Sequence, residues 1–199
     1  MQLFGTLVAA IGAVVMMASS TLAAPQATTP VSVDTAAVKD ASIYFSGTGC
    51  AQCPNGNCFE CTWGHNSTLT AFTGARSMGR ALIGFQLPFD GSLVKTCILQ
   101  IPAFSTPNTG NIVVNINSAE NKNWDENTVN GYNAPAIYGQ VASVNVPAYQ
   151  NMQAVDISYA CRSAQSGSMS IYLSSTGPQF SFWSKDSGNP AILHVTKYA

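Results

Sequence analysis

From residue 40 onward, the chain is a series of short runs in which polar and apolar residues alternate. In one of them Ile112, Val114 and Ile116 share a face, and Asn115 falls on the opposite face. Alternation with a period of two residues predicts half-buried strands. The runs that we predict to be strands are residues 42–45, 67–72, 81–87, 96–101, 112–117, 141–146, 153–157, 169–173, 180–184 and 191–198.

Clusters of Gly, Pro, Asn and Ser separate these runs, and they are typical of turns between strands. The sequence contains no long amphipathic helix, and only residues 158–165 fit one short helical turn. About ten short strands with turn signals between them favour an all-β fold, an antiparallel two-sheet β-sandwich of the jelly-roll kind.

The N-terminus has the pattern of a secretion signal. A nearly unbroken apolar run from Leu3 to Ala18 is followed by small residues as far as Ala24. This predicts a signal peptide over residues 1–23 and a secreted protein, extracellular or associated with a cell wall. A membrane anchor is the alternative, but the run is shorter than the ~20 residues that a spanning helix needs. After signal removal we therefore predict that no segment spans a membrane.

Removal of the signal would leave 199 − 23 = 176 residues, which is enough for one domain with its own core. Residues 24–39 are rich in Ala, Thr, Pro and Val without a clear period, so we predict a flexible leader there. Residues 40–199 are predicted to form the β-sandwich domain.

The chain carries few charges. Only 9% of its residues are charged, and the formal net charge is −1. Without a basic patch, nucleic acid and anionic membranes are disfavoured as partners. A surface built from Ser, Thr, Asn, Gln and Gly instead suits neutral hydroxylated ligands, or close packing within a wall.

Six cysteines follow the predicted signal peptide, and an even number in a secreted chain indicates disulfides. Four of them lie close together as Cys50-x2-Cys53-x4-Cys58-x2-Cys61, with a Pro-Asn-Gly-Asn turn in the middle. Two disulfides in a tight knot are favoured over a zinc or iron–sulfur site, because the gap between the pairs is shorter than a zinc-ribbon spacer and the secretory route oxidises thiols. The pairing within this knot is left open, and by elimination Cys97 is predicted to pair with Cys161.

Three stretches in order resemble one family of secreted domains. They are Arg80-Ala-Leu-Ile-Gly-Phe-Gln-Leu87, the connection from Trp124 to Pro135, and a closing segment from Ser184 to Tyr198. This set is similar to the DNRLRE-type domain, which is carbohydrate-binding module family 96, over about residues 40–198. The resemblance implies a jelly-roll sandwich that binds polysaccharide, the kind of module that is usually appended to a lyase or a hydrolase.

Sugar binding uses an exposed aromatic face beside amide or carboxylate hydrogen-bonding groups. The candidates that we draw from aromatic residues in loops or at strand ends, with one adjoining amide, are Trp63, Tyr132, Asn133, Tyr138 and Trp183. Trp63 and Tyr132 have polar or glycine neighbours and rank first among them.

The connection after Trp124 has further candidates. We expect Trp124 to pack over the end of a sheet and Glu126 to accept hydrogen bonds in a turn, with sugar contact as the alternative. Asp125 and Glu126 are candidate Ca²⁺ ligands, since hard cations bind several oxygens and this loop is rich in Asn, Asp and Glu. Asn66-Ser67-Thr68 is an acceptor sequence for N-glycosylation, which predicts a glycan at Asn66 on an exposed loop.

Catalysis has little support in the sequence. His65 and His194 do not form a metal-binding pair, and nothing resembles a nucleophile elbow. We therefore predict a secreted, non-catalytic protein that binds a cell-wall or matrix polysaccharide. The alternatives are a structural wall or surface protein that binds no free glycan, and a small polysaccharide lyase.

Overall fold

The computed structural model describes residues 30–120, 123–164 and 167–198. The strands are β1 Ser32–Phe45, β2 Thr68–Thr73, β3 Met78–Gln86, β4 Val94–Gln100, β5 Ile112–Ala119, β6 Ile137–Val146, β7 Val155–Asp156, β8 Ser168–Thr176, β9 Phe180–Trp183 and β10 Ile192–Lys197, with one short α-helix, α1, at Ser158–Arg162. Single turns of 3-10 helix occur at Pro54–Gly56, Cys58–Glu60, Gly91–Leu93 and Lys185–Ser187. Each of the predicted strands overlaps one of these strands, and the helical turn is confirmed.

The strands form an antiparallel two-sheet sandwich that is nearly closed into a barrel, so the predicted fold class is confirmed. One sheet has the order β7-β4-β10-β1, and the other has the order β1-β3-β8-β5-β6. Strand β1 belongs to both: residues 32–36 pair with β10, and residues 37–45 pair with β3. A register shift between Ala37 and Lys39 marks the change of partner, where a bulge lets one strand bend from sheet to sheet. Strand β9 joins the second sheet through β2.

The main core lies between the two sheets. It contains the predicted inward residues of β3, β4, β5 and β8, among them Ile83, Leu99, Val114 and Ile171, all of which are fully buried. Burial of side chains from both sheets is the main source of stability in such a sandwich.

A second, smaller core lies on the outer face of the β1-β3-β8 region. Ile43, Leu82 and Tyr172 are buried there beneath Trp124 and Val129 of the connection between β5 and β6. These strands are therefore apolar on both faces over part of their length, which departs from simple alternation. The connection from Trp124 to Pro135 covers this part of the sheet, and we call it the lid.

The predicted leader is wrong over residues 32–39, because β1 begins at Ser32 and the domain starts earlier than residue 40. The side chains of this segment are mostly small, and all except Ala37 are exposed or half-exposed, so they give no hydrophobic period. What orders the segment is its backbone ladder, in which Val33 pairs with Val195 and Thr35 with Leu193 of β10. The predicted signal peptide and residues 24–29 lie outside the described residues.

The six cysteines form three disulfides, Cys50–Cys58, Cys53–Cys61 and Cys97–Cys161. The prediction of disulfides over a metal site is therefore confirmed, and so is the pairing of Cys97 with Cys161. Within the knot, each bond joins a cysteine of the first pair to one of the second.

Among the described residues, none of the helices has the length and apolar character that a membrane crossing requires.

Candidate carbohydrate-binding cleft

An open cleft of about 610 Å³ lies where the ends of β5, β6 and β8 meet α1. Two tyrosines line it, Tyr138 from β6 and Tyr159 from α1, and they are 79% and 76% exposed. The remaining lining residues are small, polar or part of the core: Ser118, Ala119, Glu120, Ala160, Ser163, Ala164, Met169 and Ser170. Exposed aromatic rings beside hydroxyl groups in a concave surface are what a sugar-binding site requires.

The fold of α1 explains why Tyr159 points outward. Its neighbours Ile157, Ala160 and Cys161 are buried, so one turn of helix leaves Tyr159 on the solvent side. Cys161 is joined to Cys97 of β4, and the backbone N–H of Cys97 donates to the Ser158 hydroxyl at 2.8 Å. The helix is thus fixed to the sandwich by a covalent bond and a buried hydrogen bond.

A residue of the second core holds the part of the cleft lining that belongs to β8. Ser170 lines the cleft but is only 3% exposed, and its hydroxyl accepts a hydrogen bond at 3.0 Å from the indole N–H of Trp124. The lid therefore contacts the cleft through one buried polar pair.

The cleft carries little charge. Of the lining residues that the structure describes, only Glu120 is charged at neutral pH. A site of this composition favours a neutral polyhydroxylated ligand over a polyanion.

Tyr138 is thus the only one of the five predicted sugar contacts that lines the cleft. Tyr132 lies instead on the cysteine knot, where its ring stacks on Phe59 with centroids 5.2 Å apart and its hydroxyl bonds to the Asn57 side chain at 2.9 Å. The Asn133 amide is used within its own loop, since it donates to the Thr128 carbonyl and accepts from the Asn130 N–H.

The two predicted tryptophans lie on other surfaces. Trp63 is half-buried and packs edge-on against Tyr44, with ring centroids 5.2 Å apart. The chain beside it passes so close to the second core's lid that a Cβ on Gly64 would collide with the Glu126 carbonyl. Trp183 is 38% exposed at the end of β9.

The connection from Trp124 to Pro135 has a structural role in the fold. Trp124 is 7% exposed, and its carbonyl accepts a 2.6 Å hydrogen bond from the Lys39 ammonium. At the other end of the connection, the Tyr172 hydroxyl donates to the Pro135 carbonyl at 2.6 Å. The expectation that Trp124 packs over the sheet is confirmed.

Comparison with known proteins decides what kind of sandwich this is. The model of a family described as carbohydrate-binding module family 96 matches residues 54–197. The chain belongs to carbohydrate-binding module family 96. A similar protein is described as an uncharacterized secreted protein of Arthroderma benhamiae; it is 46% identical over 160 residues, which cover 80% of this chain and 82% of the relative. The resemblance inferred from the sequence is confirmed, and the function class of the family is carbohydrate binding.

Tyr159 of this family 96 module is absent from the sugar contacts predicted from the sequence. Tyr159 lies in the predicted helical turn, two positions before Cys161. The helical turn and the disulfide of Cys161 were both predicted from the sequence. A cysteine that is buried on one side of a single helical turn leaves the residue two positions earlier on the other side. That spacing was the available signal.

Charged residues of the module gather at a different place, beside the lid. The Lys185 ammonium lies 3.0 Å from Glu126 Oε2 and 3.0 Å from Asp186 Oδ2. Glu126 Oε1 accepts from the Asp40 backbone N–H at 2.7 Å, so Glu126 bonds to strand β1 as well as to Lys185. His65 adds a hydrogen bond from its ring to Asn127 Oδ1 at 2.8 Å. The group connects β1, the lid and the turn after β9.

Calcium at Asp125 and Glu126 stays a prediction. Asp125 Oδ1 accepts two hydrogen bonds from Asn127, which lower the pKa of Asp125, and Glu126 has the partners given above. Ligand atoms of His65, Glu126 and Asp186 lie within 4.8 Å of one another, the spacing of a metal site. The Lys185 ammonium already bonds to both of those carboxylates, so the residues do not fit a cation there unless Lys185 moves.

Asp40 makes this group sensitive to pH. Its carboxylate is almost completely buried, with Oδ2 accepting from the Lys185 N–H at 2.8 Å and Oδ1 without a hydrogen-bond partner among the described residues. Burial, aided by the charge of Glu126, raises the pKa of Asp40 from 3.8 to about 6.

We predict that Asp40→Asn makes the free energy of unfolding less dependent on pH. Because the folded pKa lies above the unfolded one, the contribution of Asp40 is full below about pH 4 and is lost as the pH rises through 6. Between pH 5 and pH 7.5 this loss amounts to roughly 1 kcal/mol, which urea titrations of both proteins would measure. His65→Asn serves as the control. The pKa of His65 is also raised, so His65 too stabilises the folded protein more at low pH than at high pH, and this variant measures its share of the pH dependence. An unchanged pH dependence in Asp40→Asn would contradict the assignment.

Proposed function

We propose that this protein is a secreted, non-catalytic module that binds a neutral polysaccharide of a cell wall or extracellular matrix through the cleft at Tyr138 and Tyr159. The observation that carries the proposal is the pair of highly exposed tyrosines from two different elements, which line one concave surface in a chain of a carbohydrate-binding family. Exposed apolar surface that is gathered in one groove is typical of a ligand-binding site.

Binding would proceed by stacking and hydrogen bonding without covalent chemistry. The C–H groups on one face of a sugar ring pack against an aromatic ring, and its hydroxyls exchange hydrogen bonds with Ser118, Ser163 and Glu120. Tyr159 is held by the disulfide-linked helix and Tyr138 by a strand, so little conformational entropy is lost on binding. A single cleft of this size would bind a few sugar units with modest affinity, and the repeating polymer would supply many equivalent sites.

Secretion is supported by three observations. The chain begins with a predicted signal peptide, its six cysteines are all in disulfides, and the relative from Arthroderma benhamiae is described as secreted.

The first experiment is a pull-down of the mature chain with insoluble cellulose, chitin, β-glucan and mannan, beside a soluble acidic set that includes alginate. We expect saturable retention on one neutral polymer. Addition of a chelator tests the predicted calcium. Retention on alginate alone would contradict the neutral ligand, and release of oligosaccharides into solution would support a lyase.

Substitutions then test the cleft. We expect Tyr138→Ala and Tyr159→Ala each to weaken binding about tenfold, since one aromatic contact is worth roughly 1–1.5 kcal/mol. The phenylalanine variants of both residues keep the ring and separate stacking from hydrogen bonding. Affinity is measured by depletion isotherms, and melting temperature is measured in parallel.

Tyr198→Ala is the matched control, because Tyr198 is 53% exposed and does not line the cleft. Tyr132→Ala tests the other predicted contact of the same kind. Loss of binding in Tyr132→Ala with retention in both cleft variants would move the site to the cysteine knot. If no polymer is retained and the protein self-associates at micromolar concentration, the structural alternative is favoured.

A further inference from the structure

The Asn66-Ser67-Thr68 segment leads directly into β2 at the surface of the sandwich. Asn66 is exposed, and no described residue hydrogen-bonds to its side-chain amide. Its backbone, by contrast, is fixed, because its carbonyl accepts a 2.5 Å hydrogen bond from the Ser184 hydroxyl. A large group attached to the amide nitrogen would therefore extend into solvent from a well-ordered position.

The pairing of β2 with β9 places Trp183 beside this position. Thr68 pairs directly with Trp183, and the ladder continues one step further through the Ser184 N–H, which donates to the Ser67 carbonyl at 3.0 Å. Asn66 lies two positions before β2, and the same register continued to it makes Asn66 the diagonal neighbour of Trp183. Such neighbours are about 7–8 Å apart and within reach of long or aromatic side chains.

The burial pattern places Trp183 on the outer face, and the continued register places Asn66 on the same side. Leu69 and Phe182, which pair with each other, are 1% and 0% exposed, so they define the inner face. Thr68 and Trp183 are the next pair and point the opposite way. In agreement, Trp183 is 38% exposed although its neighbour Phe182 is fully buried.

We infer that Asn66 carries an N-linked glycan and that the first sugar of this glycan packs on the indole of Trp183. The carbohydrate that Trp183 contacts is then the protein's own, and the external polysaccharide binds elsewhere. The inference is independent of the cleft proposed above.

The modification is a transfer catalysed by the host's oligosaccharyltransferase in the secretory pathway. The Asn66 amide nitrogen forms a bond to C1 of the N-acetylglucosamine at the reducing end of a lipid-diphosphate-linked oligosaccharide. The C1–O bond to the diphosphate breaks, the lipid diphosphate leaves with the electron pair, and the amide nitrogen loses a proton. Because the enzyme acts during translocation, the folded protein needs only to leave room for the product, which the exposure of Asn66 provides.

Expression of the full chain in a yeast secretory host tests the modification. We expect the intact mass of the secreted protein to fall on treatment with an endoglycosidase that leaves one N-acetylglucosamine, and Asn66→Gln to show neither the added mass nor the fall. A wild-type mass equal to that of the unmodified polypeptide would overturn the modification.

The trimmed protein, with its single sugar, then tests the contact with Trp183. The ring current of the indole should shift the N-acetyl methyl proton resonance upfield in the wild type, and Trp183→Thr, which preserves a good strand former, should abolish the shift. The melting temperature should be higher with the sugar than in Asn66→Gln by about 2–3 °C, and this difference should vanish in the Trp183→Thr background. A methyl resonance at the same position in both backgrounds would overturn the contact. A change in polysaccharide retention on loss of the glycan would contradict the independence of the two sites.

Discussion

Replacement of Trp124 by Ala is expected to destabilise the protein by about 3–5 kcal/mol, the usual cost of removing a buried tryptophan from a core. Trp124 is the largest side chain of the second core, where it packs with Ile43, Leu82 and Tyr172. The substitution also leaves the Ser170 hydroxyl without its 3.0 Å indole partner. Urea unfolding of the purified variant measures the loss.

Two variants separate the contributions to this loss. Trp124→Phe retains most of the apolar area but removes the N–H, so it should cost only about 1–2 kcal/mol, the value of one buried hydrogen bond left unmade. Trp183→Ala, in protein made without a glycan, is the control for the same substitution at a partly exposed site, where we expect roughly 1 kcal/mol. If Trp124→Ala cost no more than Trp183→Ala, the lid would not be part of the folded core.

The strands could be predicted because their inner faces obey a local rule. Residues such as Val114, Leu99 and Ile171 alternate with polar neighbours, and that alternation needs no knowledge of partners. The start of β1 could not be predicted in this way. Its residues 32–36 are ordered by hydrogen bonds to β10, which is about 160 residues away in the sequence.

The candidate site was predicted only in part, and the reason is topological. Tyr138 could be chosen because it is an aromatic residue near the end of a loop, but Tyr159 becomes relevant only when α1 is placed beside β5, β6 and β8. β5 and β6 lie well before α1 in the sequence, so their contact with α1 depends on the closure of the sandwich. Tyr132 looks equally suitable in the sequence. In the structure, however, its ring stacks on Phe59, which lies between two disulfide-bonded cysteines of the knot.

Loss of the Cys97–Cys161 disulfide is expected to lower stability by about 4 kcal/mol, because the bond closes a loop with a sequence separation of 64 residues in the unfolded chain. Both cysteines are completely buried, so the variant to make is Cys97→Ala with Cys161→Ala, which avoids placing hydroxyl groups in the core. Melting temperature should fall by roughly 8–16 °C for a domain of this size.

The disulfide Cys50–Cys58 is the matched control within the same chain. Its cysteines are only 8 residues apart, and the same chain-entropy argument gives about 2.5 kcal/mol for its removal. The two double variants should also differ in function. The first releases α1, which carries Tyr159, so it should weaken polysaccharide binding even well below its melting temperature, whereas the second leaves the cleft intact. Equal losses of stability in the two double variants would contradict the dependence on loop length. Full binding by the Cys97→Ala, Cys161→Ala variant would show that the hydrogen bond to Ser158 suffices to hold Tyr159 in the cleft.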